Sequence, residues 1–286
     1  ILLTVSGGVD SMVMLSLFTR CGYTVGVAHC NFQLRGSESD EDEVLVAEEA
    51  ARCGVPCYNK RFETAAEMER TGESMEMAAR RLRYAWFDEL SSEYGYTAVA
   101  VAHHADDSIE TFFINLLRGT GLRGLTGIPP VRGILIRPLL GVPRIDIEVY
   151  LAQENIPHVE DSSNQDTKFA RNRIRQAILP VMKDLNPAFV STLSANLVHL
   201  REDRELLHDM AESVTCEALV EDGKVSIQAA SLADLPHPIA ARAVKQLLAK
   251  AGRFQVSAVH IDQIIESGAK TILLHKENPS GIDFSI

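Results

Sequence analysis

Short apolar runs recur along the first third of the chain, at Leu2–Val5, Thr24–Ala28, Pro56–Lys60 and Thr97–Ala102, and helix-like stretches at Ser11–Cys21, Ser39–Cys53 and Met75–Tyr94 separate them. This alternation predicts an α/β fold, a Rossmann-like parallel sheet with helices on both faces. In that architecture ligands lie beyond the carboxyl ends of the strands. Farther along, the glycine-dense stretch Gly119–Pro130 reads as a loop that no helix enters, Ile134–Pro138 as a short strand, and Arg144–Glu154 as a helix. A polar loop at Asp161–Asp166 then leads into the basic segment Lys168–Arg175, and Pro180 and Pro187 bracket a boundary. Helices are expected over Ala188–Cys216, Ile239–Ala251 and Ala258–Ser267, so the chain divides into a sheet domain, 1–187, and a smaller, mainly helical domain, 188–286.

Ser6-Gly7-Gly8-Val9-Asp10-Ser11 joins the first strand to the first helix. Glycines at such a junction let backbone N–H groups approach an anion, the helix dipole favours negative charge there, and Ser6 and Ser11 add hydroxyls. Asp10 is out of place in an anion cradle unless it ligates a Mg2+ ion that bridges phosphate oxygens. The loop lacks the spacing and lysine of a Walker A sequence, and it lacks the G-x-G-x-x-G dinucleotide pattern. Two further segments, His29-Cys30-Asn31-Phe32 and His103-His104-Ala105-Asp106-Asp107, are expected just after strands, which brings three segments to one rim.

Asp107 and Asp106 lie three and four residues before Glu110, so the acids share one face near the start of a helix. Acids in a first turn complement the helix dipole. Beside a phosphate loop they can also hold Mg2+ or receive an ammonium group. His29 and His103 read either as phosphate contacts or as hydrogen-bonded core residues at strand ends. Of Arg80, Arg81 and Arg83, one is expected to turn inward, and Arg171, Arg173 and Arg175 suit bidentate phosphate contacts.

The chain has 286 residues, 46% hydrophobic and 23% charged, which is a globular composition. No apolar stretch approaches the roughly 20 residues of a membrane span, and no basic leader precedes the first strand, so no membrane partner and a cytoplasmic location are expected. The chain starts on a strand without Met, and further residues are expected at its ends. Its 5 cysteines form no C-x-x-C pair, which leaves metal-cluster and disulfide chemistry without support. The net charge of -11 argues against a nucleic-acid partner, but Arg118–Lys183 carries ten bases against six acids, so a local basic face is compatible with the total.

Taken together, Ser6–Ser11, Ala28–Ser37, Glu76–Tyr84, His103–Thr111, Leu135–Leu139, Glu160–Asn164 and Arg171–Arg175 resemble the bacterial tRNA(Ile)-lysidine synthetases, a family of the pyrophosphatase-loop superfamily. The resemblance covers about residues 1–180 and is weaker in the tail. It implies an enzyme that uses ATP to adenylate C2 of the wobble cytidine in the CAU-anticodon isoleucine tRNA and then joins L-lysine through its side-chain amine. It implies ATP binding by Ser6, Gly7, Gly8, Val9, Asp10, Ser11, His29 and His103, and Mg2+ at Asp10 and Asp107. Lysine binding falls to Asp107 and Glu110, and the reaction centre to Asp10, Asp107 and Arg171. Arg80, Arg83, Arg118, Arg123, Arg173 and Arg175 are then the candidates for tRNA, and the tail after Ala188 is expected to grip the tRNA away from the reacting base. Phe32 stands where many members carry a second histidine. A homodimer is compatible with the sequence. The rival readings are a tRNA-thiolating enzyme of the same superfamily and a non-enzymatic nucleotide-binding module.

Overall fold

The computed structural model describes residues 1–34, 36–159, 170–216, 218–221, 224–228, 230–250, 261–262, 264–265, 271–275 and 282–285. Two compact units divide between Leu197 and Val198. In the first, β1 (Leu2–Thr4), α1 (Val9–Arg20), β2 (Gly26–Asn31), α2 (Ser37–Arg52), β3 (Cys57–Arg61), α3 (Thr64–Thr71), α4 (Met75–Tyr94) and β4 (Val99–Ala100) follow in order. They lead into α5 (Ala105–Arg118), α6 (Leu122–Leu125), β5 (Val131–Arg132), β6 (Leu135–Ile136) and α7 (Arg144–Glu154). After the undescribed residues 160–169 come α8 (Ala170–Arg173), a π-helical turn (Ile174–Ile178), α9 (Leu179–Leu185) and α10 (Phe189–Thr215).

The sheet runs β3-β2-β1-β4-β6-β5, parallel except for β5. Alternating side chains fill both faces. Leu3, Val27 and Ala100 pack with Met12, Leu15, Val46, Ala50 and Ile147 from α1, α2 and α7. Their neighbours Leu2, Ala28 and Val99 pack on the other face with Trp86, Phe87 and Leu90 of α4. Each fully buried Leu, Val or Phe contributes about 1.5–3 kcal/mol relative to exposure, so burial on both faces fixes the register of these short strands. After β3 the chain crosses β2 and β1 and resumes on the far side of β1 as β4, which makes the carboxyl ends of β1 and β4 the point where strand order reverses.

Several local expectations differ from the structure. His29, Cys30 and Asn31 belong to β2 itself instead of following it. The glycine-dense stretch contains the single helical turn α6, held by the Asn115 side-chain amide donating to the Gly124 carbonyl at 2.8 Å. Pro180 sits in the first turn of α9, where its missing N–H is harmless, and marks no boundary. α3 and β5 carry too short a pattern to be read in advance.

In the second unit α11 (Ala230–Ala233) and α12 (His237–Lys250) accompany β7 (Leu219–Glu221), β8 (Lys224–Gln228), β9 (Thr271–His275) and β10 (Ile282–Ser285), an antiparallel sheet ordered β10-β9-β8-β7. Ile239, Ala240, Ala243, Val244, Leu247 and Leu248 form the buried stripe of α12. Phe189–Thr215 and His237–Lys250 match two of the expected helices, whereas the four-stranded sheet departs from a mainly helical expectation. Most of the helix expected over Ala258–Ser267, and all of the loop Asp161–Asp166 with Lys168, lie outside the described residues.

Candidate active site

The loop after β1 is shaped by its own backbone. Gly7 has φ +92, which an L side chain adopts only under strain, and a β-carbon there would stand 3.1 Å from Val159 Cγ2. Val159 N–H donates to the Gly7 carbonyl at 3.0 Å and stitches the loop to the segment after α7. Ser11 Oγ is buried; it accepts the Ser6 N–H at 3.1 Å and donates to the Gly8 carbonyl at 2.9 Å. Its hydroxyl therefore shapes the loop, and the exposed Ser6 hydroxyl is the one that faces outward. Gly8 caps α1 without a side-chain hydrogen bond, and the first N–H groups of the helix, from Val9 to Ser11, have no intrahelical acceptor, which is the arrangement that suits an anion.

A cavity of about 400 Å³ opens beyond this loop, and Ser6, Gly8, Asp10, His29, Arg83 and His103 are among its lining. It lies at the reversal point of the strand order. His29 is buried, with Nδ1 2.9 Å from the Val5 carbonyl and Nε2 unpartnered; burial lowers its pKa. Burial also lowers the pKa of His103, to about 4. Arg80 and Arg83 both line the cavity, where one inward arginine was expected, and each lies over a ring, Arg80 on Tyr84 at 4.9 Å and Arg83 on Phe32 at 5.2 Å. Arg81 points elsewhere and pairs with Glu67 and Glu73.

The acids of α5 separate despite their shared spacing. Asp106 is buried, accepts the Arg144 N–H at 2.9 Å and the Lys183 ammonium at 2.9 Å, and these donors hold its pKa below the usual range against the opposing effect of burial. Asp107 Oδ2 accepts the His104 N–H at 3.1 Å, which caps α5. His104 Nε2 stands 3.5 Å from Asp107 Oδ2 and 3.8 Å from Asp10 Oδ1, so one imidazole is flanked by carboxylates from the first turns of two helices, α1 and α5. Asp10 also takes a 2.5 Å bond from Arg144, the first residue of α7. Glu110 is 0% exposed and receives Arg175 Nε at 2.6 Å and Nη2 at 3.1 Å, with Arg171 Nε 3.4 Å away. Burial pushes its carboxyl up, opposed by the two guanidiniums. Arg175 lies on the π-helical turn, an irregularity common at functional sites.

The basic run is therefore no single face. Arg144, Arg171, Arg175 and Lys183 are bound to carboxylates and Arg137 is buried, whereas Arg118, Arg123 and Arg173 are exposed and, among the described residues, unpaired.

Residues 1–182 match the family model of the PP-loop domain. The chain belongs to the PP-loop family. Among curated relatives, the tRNA(Ile)-lysidine synthase of Parabacteroides distasonis is 40% identical over 246 residues, covering 86% of this chain and 56% of the relative. That of Porphyromonas gingivalis W83 is 45% identical over 206 residues, covering 72% and 44%. The chain thus spans about half the length of the curated relatives it matches. A solved structure, the U34-tRNA thiolase NcsA from Methanococcus maripaludis, superposes with a TM-score of 0.58 at 15% identity over 70% of this chain and 72% of that one, a likeness of fold.

In this PP-loop domain the donor set suits a Mg2+ ion that arrives with its nucleotide. No cluster of three or more metal-ligating side chains exists among the described residues, but Mg2+ is commonly held by one or two carboxylates and completed by phosphate oxygens and water. Asp10 and Asp107 can supply those two. Arg144, Lys183 and Arg137 are legible in the sequence only as members of the basic stretch Arg118–Lys183, not as partners of particular site groups. Leu135–Leu139 marked Arg137 only as part of a motif, and no spacing links Arg144 to Asp10, 134 positions away.

Proposed function

We propose that this chain carries the catalytic domain of a tRNA(Ile)-lysidine synthase: with ATP, Mg2+ and L-lysine it modifies C2 of the wobble cytidine in the CAU-anticodon isoleucine tRNA. The observation that carries the reading is the convergence, at the reversal point of a PP-loop sheet, of an anion-binding loop with Asp10 and Asp107 on either side of His104. The named relatives support the substrate.

In this reading Ser6–Ser11 and the cavity, including His29 and His103, hold the triphosphate, and Asp10 and Asp107 hold Mg2+ against it. Mg2+ supplies charge neutralisation at the phosphates. The cytidine C2 oxygen attacks the α-phosphorus and pyrophosphate leaves; the lysine amine then attacks C2 and AMP leaves. Arg171 stands at the reaction centre, 3.2 Å from Thr111 Oγ1 and 3.4 Å from Glu110. Lysine binds at Asp107 and Glu110, and because Arg175 occupies both oxygens of Glu110, the incoming ammonium has to share or displace that guanidinium. Of the arginines expected at the tRNA, Arg118, Arg123 and Arg173 are exposed and open to it, whereas Arg80 and Arg83 line the cavity and Arg175 is bonded to Glu110; the tail after Ala188 assists the grip. The reaction belongs in the cytoplasm, and no helix among the described residues is long and apolar enough to cross a membrane.

The test is product analysis with α-labelled ATP. AMP and pyrophosphate should form only when lysine and the tRNA are both present, with lysidine in the digested tRNA, and Asp10→Ala should abolish turnover while the fold survives. ADP and phosphate as products would remove the reading. A homodimer is compatible with this reading, and sedimentation decides it.

A further inference from the structure

Arg137 is only 7% exposed, yet no carboxylate among the described residues pairs with it. Its Nη1 donates to the Pro129 carbonyl at 2.7 Å, and its backbone N–H donates to the Pro130 carbonyl at 3.0 Å. Its Nε donates toward His103 Nδ1 at 3.3 Å. A guanidinium has no acceptor and does not lose its proton in proteins, so the nitrogen it faces has to be the one that accepts. A neutral imidazole that accepts at Nδ1 carries its proton on Nε2. His103 is itself held by its N–H to the Val101 carbonyl at 2.9 Å, and it lines the cavity beyond the phosphate loop.

We propose that Arg137 is a positioning residue that fixes His103 as the Nε2–H tautomer, giving the cavity a neutral hydrogen-bond donor backed by a buried positive charge for a phosphate oxygen of the nucleotide. The inference rests on the assignment of the cavity to ATP. A buried cation without an acid is costly, and a polyphosphate one imidazole away provides the missing negative charge. The arrangement also keeps His103 out of proton transfer near neutrality, since Nε2 already holds its proton and the Nδ1 lone pair is taken. Burial, first, and the charges of Arg137, Arg171 and Arg80 resist protonation, while Asp107 alone favours it.

Long-range proton–nitrogen spectra of the full chain with labelled histidine test this, with the His103 signals identified by their loss in His103→Ala. The expected result at pH 7 is a bare Nδ1 and a protonated Nε2. A protonated Nδ1, or an imidazolium, at pH 7 overturns the proposal. A double-mutant cycle on ATP binding by calorimetry tests the coupling. Arg137→Gln should weaken ATP binding about tenfold or more, the loss of a charge-assisted bond, but about twofold or less in a His103→Ala background. Equal losses in both backgrounds overturn it. If Arg137→Gln does not fold, the spectrum of the unmodified chain decides alone. Neither arm uses lysine or RNA, so a chain with the tautomer and the coupling that makes no lysidine loses the proposed substrate and keeps this inference.

Discussion

Replacing Glu110 by Gln removes one charge and almost no volume from the centre of the site. Glu110 is 0% exposed and takes two bonds from Arg175, at 2.6 and 3.1 Å. Glutamine keeps one acceptor and turns an NH2 toward a guanidinium N–H, so one charge-assisted bond becomes a donor facing a donor. Such a bond is worth about 1.5–3 kcal/mol. The Arg175 side chain is 37% exposed and can turn to water, which places the expected loss near the middle, about 2 kcal/mol. At about 2–4 °C per kcal/mol for a unit of this size, Tm should fall by about 4–8 °C. Thermal and urea unfolding measure it, and steady-state assays should show the lysine requirement rising far more than the ATP requirement. Arg175→Gln is the complementary change: it leaves a buried carboxylate whose pKa, already raised by burial, rises further. The folded state then binds more protons than the unfolded one as the group titrates, so the destabilisation grows as pH rises through that range. A Glu110→Gln chain as stable as the parent, with lysine and ATP requirements changed equally, would refute the reasoning.

Other changes probe separate parts. Gly7→Ala puts a side chain at φ +92 against Val159, so ATP binding should weaken at least tenfold by calorimetry and stability should fall by about 1–3 kcal/mol. His103 is neutral in the folded chain down to about pH 4 and titrates near 6.5 when unfolded, so the unfolded state binds the extra proton between these values; stability should drop on acidification from pH 6.5 to 4, and His103→Gln should flatten that slope in urea titrations. Arg118→Glu with Arg123→Glu should weaken tRNA binding and reduce its salt dependence while leaving ATP binding unchanged in calorimetry.

The sheet was legible because strands buried on both faces read as continuous apolar runs, and Leu2–Val5 and Thr97–Ala102 need no partner to be recognised. The phosphate loop was legible because it is contiguous, with every residue from Ser6 to Ser11 inside one turn. Legibility fails where a group's role depends on what the fold brings to it. Asp106 and Glu110 have the spacing of one helix face, but α7 and α9 present Arg144 and Lys183 to the first, while the π-helical turn presents Arg175 to the second. Ser11 looked like a ligand donor, yet a buried hydroxyl beside an open N–H and an open carbonyl is claimed by both. Two-residue strands such as β5 are held by pairing with β6, and no local pattern announces them.

Opposite charges are sorted across this site of a chain whose net charge is -11. Four acids at the rim each stand beside a guanidinium or an ammonium: Asp10 has Arg144, Asp106 has Lys183, Asp107 has Arg175 at 3.6 Å, and Glu110 has Arg175 and Arg171. The cations around the cavity are different. Arg80 and Arg83 rest on aromatic rings and Arg137 on carbonyls and an imidazole, none of them on a carboxylate among the described residues. Pairing an arginine with a ring keeps its donors open to phosphate at a cost of only about 0.5–2 kcal/mol of cation–π attraction if it moves. Pairing an acid with an arginine does the reverse, because a small ammonium gains that carboxylate only by competing with a guanidinium bonded twice. On the proposed function, the cavity would then accept an anion directly and the acids a cation only in exchange, so ATP should bind ahead of lysine, and equilibrium binding of lysine with and without a non-hydrolysable ATP analogue checks that order.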